Sequence, residues 1–176
     1  MKVTRKEGKI EALRQAVKGL DGAQSKVGWF PSAVYEAGQP VAGVAVVQEF
    51  GSTKRGIPPR PFFRPTAAER AEDWRKTAEG ISRAVVRGEL APGATMEAVA
   101  LAAGGHVRET ISKITEPALS EATIAARKRR LADGGKSLTG AKGGAGVAGI
   151  AKPLVDTGIM LNTLSYEANG VQELVK

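Results

Sequence analysis

The chain has 176 residues, 42% of them hydrophobic and 25% charged, with 26 Lys and Arg against 18 Asp and Glu for a net charge of +8. It contains no cysteine, which excludes disulfides, thiolate nucleophiles and cysteine zinc sites, and its single histidine, His106, leaves little room for imidazole chemistry. No run approaches the roughly 18 apolar residues of a membrane span, and the charged N-terminus lacks the apolar core of a secretory signal.

The length suits one domain, residues 1–176. Ile10, Leu13, Val17 and Leu20 recur at steps of three and four, which predicts an N-terminal helix with one apolar stripe, ended by Gly19 and Gly22. SKVGWF (25–30) predicts a short strand with Val27 and Trp29 on one face. PVAGVAVVQEF (40–50) is rich in valine, yet Pro40 at its start and Gly51 just past its end favour a buried helix. Gly51, Gly56, Pro58, Pro59 and Pro61 then break regular structure.

Thr66 and Glu69 have the spacing of a capping box, so a long helix is expected to begin at Thr66, burying Ala67, Ala71, Trp74, Ala78, Ile81 and Val85. A second helix is expected from Thr95, with Met96, Ala100, Ala103, Val107, Ile111 and Ile114 as its stripe and Gly104–Gly105 weakening its middle. Ser120 predicts the next N-cap. Residues 134–152 concentrate glycine and are expected to form a mobile loop or arm. Asp156 is expected to cap a short helix, after which Leu164, Tyr166 and Ala168 alternate into an Asn169–Gly170 hairpin turn. The order predicts an α+β fold, several amphipathic helices packed on a small, mainly antiparallel sheet with a C-terminal hairpin.

The motifs present carry little chemistry. Gly135-Lys136-Ser137 lacks the earlier glycine of a phosphate-binding loop, because Arg130 stands there, and it follows a helix rather than a strand. His106 has no second histidine for a zinc helix, and no G-x-S-x-G elbow accompanies it. No catalytic, cofactor or metal site is read from these residues. Arg127-Lys128-Arg129-Arg130 is the densest positive run, readable as a solvated helix end or as a set of contacts to DNA phosphates blind to base sequence.

EFGSTKRGIPPRPFFRPT (49–66) sets Phe62 and Phe63 between Arg60-Pro61 and Arg64-Pro65. Neighbours in an extended segment point opposite ways, so both rings are not expected in one core. Either they anchor the loop and the next helix, or one fills a pocket on a neighbouring subunit with arginine at the rim.

VAVVQEFGS followed by IPPRPFFRPT resembles a signature of tail-completion and head–tail joining proteins of tailed bacteriophages. EPALSEATIAARKRR and KPLVDTGIMLNTLSYEA resemble two further pieces of that pattern in the same order. The matching positions are Glu49, Phe50, Gly51, Pro59, Arg60, Pro61 and Phe62, then Lys152, Pro153, Leu154, Asp156, Thr157 and Gly158, with Ser52 where the family commonly has threonine. The resemblance implies a non-enzymatic virion component of the tail or neck, made in the host bacterial cytoplasm and assembled as a ring. Its partners would be copies of itself, other phage neck and tail proteins and, non-specifically, DNA passing through the lumen. On that reading Glu49, Phe50, Gly51, Arg60, Pro61, Phe62, Phe63 and Arg64 form a contact loop between subunits or rings, and Phe62→Ala blocks assembly without impairing folding. The other reading is a nucleic-acid-binding module working through Arg127, Lys128, Arg129 and Arg130.

Overall fold

The computed structural model describes residues 4–133, 150–155 and 158–175. Helix α1 spans Thr4–Leu20, strand β1 Ser25–Gly28 and helix α2 Val41–Phe50, followed by a 3₁₀ turn at Thr53–Arg55. Helices α3 (Phe63–Val86), α4 (Ala94–Lys113) and α5 (Glu121–Ala132) come next, then the short α6 (Ile159–Asn162) and the hairpin β2 (Ser165–Ala168) and β3 (Val171–Leu174). The architecture is the expected α+β one, with helices packed on an antiparallel sheet of order β1-β2-β3.

The central strand β2 supplies the sheet's core face. Tyr166 and Ala168, with Leu164 just before them, are all buried, as a strand covered on one face requires. Asn169 and Gly170 both take positive φ, 55° and 79°, the backbone that closes a two-residue hairpin. Asn169 also donates through Nδ2 to Gly93 O at 3.1 Å, which ties the turn to the start of α4.

Helix α4 lies across β1 and β2 and packs along α3. Its stripe of Ala100, Ala103, Val107 and Ile111 is buried, with Met96 and Ile114 partly so. Gly104 serves this packing rather than weakening it. A Cβ there would lie 2.4 Å from Val175 Cγ2, so only glycine lets the chain beyond β3 close on the helix.

Two caps differ from expectation. Helix α3 begins at Phe63, not Thr66; the Thr66 hydroxyl turns inward, 2.6 Å from both Phe62 O and Thr110 Oγ1. Helix α4 begins at Ala94 with Gly93 at its cap position, and Thr95 is buried in its first turn without capping it. Ser120 does cap α5, accepting from Thr123 N–H at 3.3 Å. Residue Asp156 and residues 134–149 of the expected glycine-rich arm lie outside the described residues. Helix α6 starts after Gly158 at φ 75°, without a side-chain cap.

Helix α1 forms as predicted, but among the described residues its stripe is only partly covered: Ile10, Leu13 and Val17 are about half exposed. Among the described residues, no helix is long and apolar enough to cross a membrane.

Candidate functional site

The 49–66 segment is built around one buried carboxylate. Gly51 ends α2 at φ 75°, where a Cβ would meet Pro59 N at 2.8 Å and Ile57 O at 2.9 Å. The chain then makes a tight loop closed by Ser52 and Ile57, each N–H donating to the other's carbonyl. This return brings residues 62–64 back over Glu49.

The N-terminus of a helix leaves backbone N–H groups without intrahelical partners and carries partial positive charge. Glu49 answers both features of α3. Its Oε2 accepts from Phe62 N–H at 2.6 Å and Phe63 N–H at 2.9 Å, and its Oε1 accepts from Arg64 N–H at 3.1 Å. The Arg64 guanidinium adds Nε to the same Oε1 at 3.0 Å. Burial alone would raise the Glu49 pKa, but the Phe63 and Phe62 amides and then Arg64 outweigh it and hold the carboxyl below its ordinary value. Glu49 is thus a capping residue supplied from the preceding helix, in place of the local Thr66–Glu69 box.

Phe62 and Phe63 both pack inward, against the expectation that neighbours diverge. The backbone is not extended there: Phe62 is the cap residue (φ −130°, ψ −30°) and Phe63 opens the helix. Their ring centroids lie 5.8 Å apart, and each meets Trp29 nearly edge-on, at 5.8 and 6.1 Å. Trp29 donates its indole N–H to Met160 O at 2.8 Å, which joins this aromatic cluster to α6.

Arg60 is 4% exposed and also engaged within the chain. Its Nε donates to Pro117 O at 2.7 Å and its Nη2 to Ala118 O at 3.0 Å, while Nη1 reaches Gln48 Oε1. Burial lowers its pKa, opposed by the charge of Glu116. The reading of Phe62 and Arg60 as anchors offered to a neighbour therefore does not fit their burial; both hold this chain's own elements together. Glu49 and Gly51 are likewise used internally, and Phe63 is half-buried. Of the eight residues expected to form the contact loop, those left outside are Pro61, Phe50 and the outer part of Arg64, whose guanidinium carbon sits 4.5 Å above the Phe50 ring. Phe50 is 60% exposed, and Val46, one turn earlier on α2, is 56% exposed.

The basic run divides as well. Arg127 Nη1 donates to Ile150 O at 3.0 Å and Lys152 O at 2.7 Å, fastening the later segment to α5. Arg130 is half-buried, whereas Lys128 and Arg129 face outward. Four adjacent helical positions point around the axis, so a run that looks uniform in sequence cannot present one face. His106 accepts from the Trp74 indole at 2.9 Å through Nδ1, with the two rings stacked.

Arg60 and Arg127 border a cleft of ≈ 650 Å³, lined also by Gln48, Ile57, Leu119, Leu154 and Met160. The segments around residues 49–64, 116–130, 150–155 and 158–160 thus meet at one place. Only the contacts themselves reveal this; nothing in the sequence links Arg60 to the carbonyls of Pro117 and Ala118. Comparison with protein-family models, with curated proteins and with solved structures found no match.

Proposed function

We propose that this chain is a structural subunit of the head–tail junction of a tailed bacteriophage, a tail-completion or neck component that assembles as a ring of identical copies. One observation carries the reading beyond the resemblance itself: its three separate segments converge in space. Arg60 of the first holds the carbonyls of Pro117 and Ala118 in the second, and Arg127 of the second holds those of Ile150 and Lys152, where the third begins. A pattern spread along the chain is more specific when its pieces form one joint than when they scatter.

The residues of the expected contact loop then divide between two roles. Glu49, Gly51, Arg60 and Phe62 build the joint, while Phe50, Pro61 and Arg64 are what it presents. A ring needs two different surfaces on each subunit, because its interface is heterologous and closes by rotation. The exposed Val46–Phe50 face of α2 and the exposed stripe of α1 are apolar surfaces of the kind such contacts cover. The net charge of +8 suits a collar around DNA, where contact with phosphates is sequence-blind.

The test is the solution mass of the purified chain over a wide concentration range, with negative-stain images of the same samples. Closed rings are the expected result. A chain that stays single at every concentration and shows no ring overturns the self-assembling subunit.

A further inference from the structure

The two edges of the sheet are open in a matched way. Val175 N–H donates to Leu164 O at 2.9 Å, which fixes the phase of the β2–β3 ladder. Bonded and non-bonded pairs alternate in an antiparallel ladder. Tyr166↔Glu173 and Ala168↔Val171 are therefore the bonded pairs, and the N–H and C=O groups of Gln172 and Leu174 point away from the sheet. By the same alternation β2 turns Ser165 and Glu167 towards β1, so Ser25 and Val27 carry the outward groups of the other edge. Among the described residues, none of these outward groups has a backbone partner.

Edge strands of monomeric proteins are usually blunted by lysine, proline, a bulge or a covering element. β3, Val-Gln-Glu-Leu, has no lysine or proline, and its Val171 and Leu174 are 58% and 54% exposed. Helix α4 covers β1 and β2 but does not extend comparably over β3, so the core-side face of this strand is also left open. Such an edge accepts another strand through main-chain bonds.

We propose that β3 of one copy adds to β1 of the next, so that the sheet continues from subunit to subunit. Charge selects this occupant over a second β3. A two-fold pairing of β3 with itself that uses both Gln172 and Leu174 sets Glu173 opposite its own copy, and like charges directly opposite are destabilising. The β1 edge has outward residues of the same two-residue spacing and sets Val27, not a second carboxylate, beside Glu173.

β1 and β3 run in the same direction, since each is antiparallel to β2. Rotation about an axis along the strands keeps that direction, so the new pair is parallel. Gln172 N–H then donates to Ser25 O of the next copy, the next copy's Val27 N–H donates to Gln172 O, and Leu174 N–H donates to Val27 O. This register sets Gln172 beside Lys26 and prolongs the Lys26–Glu167–Gln172 row on one face of the sheet. The contact rests on the ring reading only for its closure into a ring; the edge pairing itself follows from the ladder.

The chain has no cysteine, so engineered thiols report without background. Full-length Gln172→Cys and Lys26→Cys proteins are mixed and oxidised, each also being oxidised alone. The expected result is a disulfide-linked dimer in the mixture and none with either protein alone. A second variant, Gln172→Pro, removes one outward N–H without breaking the bonded pairs of the hairpin. It is expected to elute at the 18.3 kDa of a single chain at concentrations where the unaltered protein associates, with its unfolding midpoint retained. Self-linking of a full-length Glu173→Cys protein, oxidised alone, overturns the proposal in favour of two-fold pairing. Rings that persist in Gln172→Pro, with no 26–172 link, overturn the edge pairing and leave the ring reading standing. Absence of any association or link in the unaltered protein overturns both.

Discussion

The 49–66 junction and helix α1 are both patterned with apolar residues, and the fold treats them in opposite ways. At the junction Phe62 is 1% exposed, it and Phe63 meet Trp29 edge-on, and the amides that open α3 are answered by Glu49. On α1, Ile10, Leu13 and Val17 form as regular a stripe, yet remain about half exposed. An apolar pattern states that a face is to be covered; it does not state by what. At the junction the same chain supplies the cover, and on α1 the described residues supply only part of it.

The sharpest way to break this contrast is to remove the centre of the junction. Phe62→Ala is expected to cost about 3–5 kcal/mol of folding stability, the range for truncating a buried aromatic ring, as read by chemical denaturation. This replaces the expectation that Phe62→Ala spares folding, and a loss under about 1 kcal/mol would place the ring at a surface instead.

Removing the capping carboxylate comes next. Glu49→Ala leaves the Phe62, Phe63 and Arg64 amides without their acceptor and is expected to cost on the order of 3 kcal/mol. The pH dependence has a definite sign. The folded-state pKa of Glu49 is lowered, so its contribution is complete above the ordinary glutamate value and is lost as pH falls through the lower folded value. Acid titrations of stability for the unaltered protein and Glu49→Gln are expected to converge at low pH; parallel curves would show that the carboxylate is not what links stability to pH.

The smallest effect belongs to α1. Val17→Ser is expected to change the stability of the isolated chain by no more than about 0.5 kcal/mol, because little is packed on that side chain. Its effect on solution mass is the sharper measurement. A drop in association with unchanged unfolding would mark the stripe as covered by another copy, and a large loss of stability would mean that α1 is held by this chain after all.

Much of the architecture was legible locally. The Asn169–Gly170 turn, the Ser120 cap, the α2 boundaries at Pro40 and Gly51 and the α4 stripe all follow from short-range rules, since positive φ, missing N–H groups and helical periodicity involve only residues close in sequence. The capping box at Thr66 obeyed the same rules and was overridden. A carboxylate from α2, already held against the incoming chain by the turn at Gly51, binds the orphan amides one turn earlier and leaves the Thr66 hydroxyl for Thr110.

The candidate site was legible as a set of residues and not as a set of roles. Phe50, Arg64, Arg60 and Phe62 stand within one short stretch and share its composition, yet two face solvent and two are enclosed. That division depends on where Trp29 and the carbonyls of Pro117 and Ala118 lie, which no spacing within the stretch encodes. The sequence by itself determined the elements, most of their boundaries and the α+β class, because those rest on backbone sterics and periodic burial within a few residues. Tertiary structure alone decided which apolar faces were used up inside the chain and left both edges of the sheet open. Burial and hydrogen bonding are settled between residues far apart in sequence, at distances of a few ångströms.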